Sequence, residues 1–212
     1  MQRTSYKTFA GETRVKIKRK GSRFIAVGTA VESVDELEAK EDELWEEFPK
    51  ASHIASGSVI VESGRAVERY ENDGEPRGTA GEPILQVVKG EGLSNAVVFV
   101  VRYFGGTELG TGGLSRAYSD AAREAIKEGK IVVQKEKERY RVRFPYSLTG
   151  EVVDLLAKYE EIDVLDRSYG EQPELELSLP VDLFDSFSRS LRSGTAGEVT
   201  LEKVDTEPTE TQ

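Results

Sequence analysis

The chain has 212 residues, 37% hydrophobic and 32% charged, with a net charge of −10. That is a soluble, globular composition with enough chain for one large or two small domains, and its acidic excess speaks against a general nucleic-acid-coating protein while leaving room for a local basic patch. The absence of cysteine and the single histidine, His53, exclude disulfides, thiolate catalysis, and cysteine or multi-histidine metal sites.

No apolar run approaches the ~18 residues of a membrane span. The first residues lack the apolar stretch of a secretion signal, so a cytoplasmic location without membrane association is expected. Val15 and Ile17 alternate with charged residues as a strand, and Phe24 to Val31 read as a second after Lys20-Gly21. Ser33 with Glu36 makes a capping box for a helix whose apolar face is Val34, Leu37, Leu44, Trp45 and Phe48. Val59–Val61 and Val67–Tyr70 read as a hairpin around Glu62-Ser63-Gly64. The loop from Asn72 to Pro83 leads into a short helix carrying Ile84, Leu85, Val87 and Val88 and stopping near Gly90. A continuous apolar strand from Ala96 to Phe104, interrupted by Arg102, feeds a glycine-rich loop. A helix from Leu114 to about Glu128 follows, with Leu114, Ala117, Tyr118, Ala121, Ala125 and Ile126 inward.

Gly129 ends that helix and Ile131–Gln134 is extended. The charged run Lys135–Arg139 marks a domain boundary, giving an N-terminal domain over 1–134 and a second over 138–204. The second reads strand, helix, strand, strand, helix, strand: a βαββαβ, ferredoxin-like order. The polar tail 205–212 is expected to be disordered. The pentapeptide Gly-Thr-Ala-Gly-Glu occurs at 78–82 and at 194–198 without matching surroundings, the second copy reading as a helix-to-strand turn.

Two glycine loops carry the functional signal. Asp73, Glu75, Arg77, Gly78, Thr79 and Gly81 lie in the first. Arg102, Tyr103, Gly105, Gly106, Gly110, Thr111, Gly112, Gly113 and Arg116 lie in and around the second. Such loops ahead of helix N-termini bring backbone N–H groups to an anion, while the plain structural use of the glycines is positive φ and tight packing. Neither the GxxxxGK[ST] nor the GxGxxG pattern is present. Arg102 interrupts an apolar strand, so it should pair with Asp73 or Glu75 or reach a ligand. Arg116, Arg123 and Lys127 form a stripe that Asp120 and Glu124 neutralise by i,i+4 pairing. Asp73 with Glu75 is an acid–base or Mg²⁺ combination on paper, but no convergent third ligand or nucleophile accompanies it, and Ser115 and Ser119 sit in no nucleophile elbow. Catalysis, cofactor and metal are not expected.

The runs Asp73-Gly-Glu-Pro-Arg-Gly-Thr-Ala-Gly-Glu-Pro83 and Val101-Arg-Tyr-Phe-Gly-Gly-Thr-Glu-Leu-Gly-Thr-Gly-Gly-Leu-Ser-Arg-Ala-Tyr118 resemble the signature of the Impact family in its YigZ-like prokaryotic form. The resemblance covers about 15–133 as the Impact N-terminal domain, and 138–204 is similar to the small C-terminal domain of prokaryotic members. It implies an α+β protein of two domains: one like domain 2 of ribosomal protein S5, one ferredoxin-like, together similar to the last two domains of the ribosomal translocase. The eukaryotic relatives regulate translation by competing for the activator of a kinase, and they carry an accessory domain that this layout lacks. The resemblance supplies no catalytic residues, and His53 stands where members often have a histidine.

The resulting expectation is a non-enzymatic regulator of translation that associates with the ribosome or RNA. Arg77, Arg102 and Arg116 would meet phosphates, and Tyr103 and Tyr118 would stack or pack. A protein partner in the translation machinery and a small phosphorylated ligand are the alternatives. The oligomeric state is left open.

Overall fold

The structure is a computed structural model that describes residues 5–62 and 65–204. These residues divide into two compact units, one spanning Tyr6–Gln134 and the other running from Lys135 to the end of the described residues.

The N-terminal unit is built on a five-stranded antiparallel sheet. Its strands are β2 (Thr13–Arg19), β3 (Ser22–Ala30), β4 (His53–Glu62), β5 (Arg65–Glu71) and β6 (Ala96–Tyr103), in the order β2-β3-β6-β4-β5. Helix α1 (Val34–Glu47) covers one face. Helices α2 (Gly81–Gly90) and α3 (Thr111–Glu128) cover the other. The two layers explain the unbroken apolar run of β6. Val97, Phe99 and Val101 pack toward α1, while Val98 and Val100 pack toward α2 and α3, so both faces of the central strand are buried. Ser33 caps α1 as expected, its Oγ accepting the Glu36 N–H at 3.2 Å. A separate pair of strands, β1 (Ser5–Phe9) and β7 (Ile131–Lys135), was not foreseen as a pair, because nothing local links partners so far apart.

The second unit contains β8 (Lys137–Arg143), α4 (Thr149–Leu156), β9 (Asp163–Tyr169), β10 (Pro173–Pro180), α5 (Phe184–Gly194) and β11 (Leu201–Lys203). The antiparallel order β11-β8-β10-β9 is the ferredoxin-like arrangement of a βαββαβ chain. Tyr140 and Val142 of β8, Leu177 and Leu179 of β10, and Phe187 and Leu191 of α5 make its core. The two-domain α+β architecture therefore agrees with the sequence expectation.

Three element bounds differ from it. Helix α3 begins at Thr111, not Leu114, so Thr111, Gly112 and Gly113 form its first turn. Glycines punctuate a sequence pattern, yet the first helical turn has no intrahelical N–H partners to lose, and the buried face from Leu114 to Ile126 stabilises the whole helix. Strand β4 begins at His53, because its first residues pair with β6 rather than within the hairpin. Strand β11 covers only 201–203, with Val199 buried just before it. Residues 63–64 of the expected hairpin turn and the tail 205–212 lie outside the described residues. Among the described residues no helix is long and apolar enough to cross a membrane.

Candidate functional site

The two glycine loops converge on one buried ion pair. Arg102, near the end of β6, follows Val98 and Val100 on the face toward α2 and α3, and its Nη1 donates to Glu75 Oε1 at 2.5 Å. Tyr118 of α3 donates its hydroxyl to the same oxygen at 2.7 Å. Glu75 and Arg102 are 7% and 6% exposed, so the attraction acts in a setting where solvent screens it little. An unpaired carboxylate there would be costly; charge-assisted donation from the guanidinium and the phenol offsets that desolvation. Burial, then the hydrogen bond to Glu75 and its charge, push the Tyr118 phenol well above the ordinary tyrosine range.

Around this pair the 72–80 loop is closely tied down. Glu71 Oε1 accepts the N–H groups of Asn72 and Asp73, each at 2.9 Å. Asn72 Oδ1 accepts the Gly81 N–H at 3.0 Å, which closes the loop onto the start of α2. Asp73 takes positive φ, and its Oδ2 accepts the Ile54 N–H at 2.7 Å. Thr79, buried, donates its hydroxyl to the Pro76 carbonyl at 2.6 Å. A Cβ on Gly81 would lie 2.4 Å from the Glu71 carbonyl oxygen, so only glycine lets α2 start against β5.

His53, the first residue of β4, stands beside the pair. Its Nδ1 lies 2.6 Å from the Asp73 carbonyl oxygen. A carbonyl only accepts, so Nδ1 carries the hydrogen and Nε2 faces Glu75 Oε1 at 3.9 Å, beyond hydrogen-bond distance. Arg102 Nε has no acceptor among the described residues, and the Phe24 and Phe104 rings flank its guanidinium at 5.7 and 5.6 Å. The carboxylate is thus engaged by its neighbours, and the cluster's chemistry is to bind the 72–80 loop, β6 and α3 into one rigid unit.

The second loop is a rim. Phe104 N–H donates to Ser52 Oγ and Gly105 N–H to Ser22 Oγ, both at 3.1 Å. A Cβ on Gly105 would lie 2.0 Å from the Gly21 carbonyl carbon, so this glycine lets the loop touch the β2–β3 turn. Gly106 and Gly110 have positive φ. Helix α3 starts after Gly110 with no side-chain cap, leaving its first N–H groups to face outward with exposed Thr111 and Gly112.

Of the sequence-selected residues, Glu75, Thr79, Gly81 and Arg102 are interior, Asp73, Gly78, Tyr103 and Gly113 are half-buried, and Arg77, Gly105, Gly106, Gly110, Thr111, Gly112 and Arg116 are exposed. Arg102 pairs with Glu75, one of its two expected partners, and Asp73 is used on backbone N–H instead. Arg116 donates Nε to the Gly112 carbonyl at 3.0 Å, which keeps it beside the helix start. Tyr103 lies under the Arg23 guanidinium, 4.7 Å from the ring centroid. The sequence reading passed over the run Lys16-Ile-Lys-Arg-Lys-Gly-Ser-Arg23, whose five cations in eight residues were a visible signal.

The Glu75–Arg102–Tyr118 cluster and both loops lie within residues 20–126, which match the family profile described as the Impact N-terminal domain. The chain belongs to the Impact family. A Bacillus subtilis Impact family member, YvyE, is 30% identical over 189 residues, covering 89% of this chain and 85% of its own. A Thermus thermophilus member is 38% identical over 135 residues, covering 64% of this chain and 72% of its own. A crystal structure described as that of a hypothetical protein superposes with a TM-score of 0.78 at 27% identity, covering 97% of this chain and all of that one.

Proposed function

We propose that this Impact-family protein is a non-enzymatic regulator of translation, acting in the cytoplasm by association with the ribosome or its RNA through the glycine-loop surface. The observation that supports this best is the exposed, uncapped start of α3, with Arg116 held beside it, on a loop anchored at Ser22 and Ser52. Outward N–H groups on a rigid support with a nearby guanidinium suit a phosphate. Engagement of Glu75 by Arg102 and Tyr118 supports a structural use of the buried charges rather than turnover. Arg77, exposed on the companion loop, adds a second cation to the reading.

Co-sedimentation with ribosomes across a salt series tests it, comparing the wild type with Arg77→Ala/Arg116→Ala. Both side chains are exposed, so the variant should fold normally and lose salt-sensitive binding. Unchanged binding by the folded variant would overturn the surface assignment. Absence of binding by the wild type at low salt would favour a protein partner.

A further inference from the structure

The β2–β3 hairpin concentrates charge that the rest of the molecule does not neutralise. Residues 16–23 carry five cations and no acid in a chain of net charge −10. Strand β2 is an edge of its sheet. Val15 and Ile17 pack toward α2 and α3, so Lys16 and Lys18 project from the opposite face, ~6.7 Å apart at two residues' rise. Lys18 is the cross-strand partner of Arg23, and Arg23 of Tyr103, so the three side chains lie side by side on that face. Lys16, Lys18 and Arg23 are all exposed.

Their neighbours show what ordinary surface cations do here. Arg14 pairs with Glu12 and Glu47, Lys40 with Glu12 and Glu43, and Arg19 with Asp120. Strand β8 of the second unit has the same alternating basic pattern, yet Lys137, Arg139, Arg141 and Arg143 are each matched by Asp163, Glu176 or Glu174. Among the described residues no carboxylate lies within 4.0 Å of Lys16, Lys18, Lys20 or Arg23. The one partner Arg23 has is aromatic: its guanidinium lies over the Tyr103 ring, 4.7 Å from the centroid, which leaves the opposite side of that cation outward.

We infer that this hairpin is a docking surface for a single strand of RNA, with phosphates along Lys16 and Lys18 and a base stacked on the Arg23 guanidinium. A row of unmatched cations beside a supported planar cation is what a sugar–phosphate strand with an unstacked base requires. A free phosphate calls for convergent donors instead, and an acidic peptide has no base for the Arg23 plane. The hydrogen bond from Gly105 N–H to Ser22 Oγ makes the surface continuous with the glycine loop. The inference rests on the RNA-association reading above and moves its main contact from the loops to the hairpin.

The test uses the full chain and a fluorescein-labelled oligouridylate of about 12 nucleotides. Anisotropy is followed from about 50 to about 200 mM salt. Lys16→Gln/Lys18→Gln/Arg23→Gln should weaken binding at least about tenfold and flatten the salt slope by about 2, at ~0.7 per lost phosphate contact. Arg23→Lys should keep the slope while losing affinity, because the charge stays and the stacking plane goes. Full binding by the triple variant, with loss in Arg77→Ala/Arg116→Ala, would overturn the hairpin and leave the glycine-loop reading standing. No RNA binding by the wild type at the lowest salt would overturn both. Displacement of RNA by oligoglutamate as readily as by unlabelled RNA would overturn a nucleic-acid surface.

Discussion

Tyr118 and Glu75 meet through a 2.7 Å hydrogen bond that joins the middle of α3 to a loop 43 residues earlier in the chain. The phenol is fully buried, its ring packs edge-to-face on Phe24 at 5.3 Å, and its hydroxyl donates to an oxygen that Arg102 also holds. Tyr118→Phe keeps the ring contact and removes one donor from a buried carboxylate. The expected loss is about 1–3 kcal/mol. It should appear in urea unfolding as a lower midpoint with an unchanged slope.

The ion pair itself calls for a double-mutant cycle. Arg102→Met leaves Glu75 buried without its cation and should cost about 3–5 kcal/mol. Adding Glu75→Gln to that variant removes the stranded charge and should recover a substantial part of the loss. Additive losses would show that Arg102 acts mainly through packing between Phe24 and Phe104.

The close approach of Gly105 to Gly21 sets where the second loop sits. Gly105→Ala forces backbone against backbone and should destabilise by about 1–3 kcal/mol, with chemical-shift changes reaching the β2–β3 turn. Gly11→Ala, where a Cβ meets nothing within 4 Å, should stay within about 0.5 kcal/mol of wild type. Equal effects would mean that the loop yields freely.

On α1, burial and the charges of Glu71 and Asp73 raise the Glu41 carboxyl above its ordinary value. A carboxyl raised on folding favours the folded state when protonated, and that benefit is lost as pH rises through the folded value. Glu41→Gln should therefore stabilise the protein at neutral pH, by no more than about 1 kcal/mol because the side chain is half-exposed and screened. The gain should vanish below about pH 4, where the acid is protonated in both states. Melting temperatures across pH for the two proteins check the sign; a gain that persists in acid would assign it to something other than charge.

Much of this architecture was legible because it is periodic or punctuated. The alternation of Tyr140, Val142 and Phe144, the capping box at Ser33, and the apolar stripe of α3 each dictate an element by local chemistry. The interruption of β6 by Arg102 foretold a carboxylate partner, since a buried guanidinium needs one. The choice between Asp73 and Glu75 was not legible. It depends on how the loop turns after Asn72, where positive φ at Asp73 directs that carboxylate to Ile54 N–H and leaves Glu75 facing inward.

The pentapeptide Gly-Thr-Ala-Gly-Glu marks the limit of local reading. At 78–82 it leads into α2, with Gly81 pressed against the Glu71 carbonyl; at 194–198 it ends α5, with Ala196 and Gly197 at positive φ. The same five residues open one helix and close another because the surrounding backbone, rather than their own propensities, satisfies their hydrogen bonds. The sequence by itself determined the strands, the helices, the two-domain order and the presence of a paired arginine, all consequences of short-range pattern and burial cost. Only the tertiary structure decided which carboxylate Arg102 takes, that Tyr118 shares it, and that the cations of β2 stay unmatched while those of β8 are neutralised. Those outcomes turn on groups brought within a few ångströms by strand register and helix packing, across separations that no local pattern encodes.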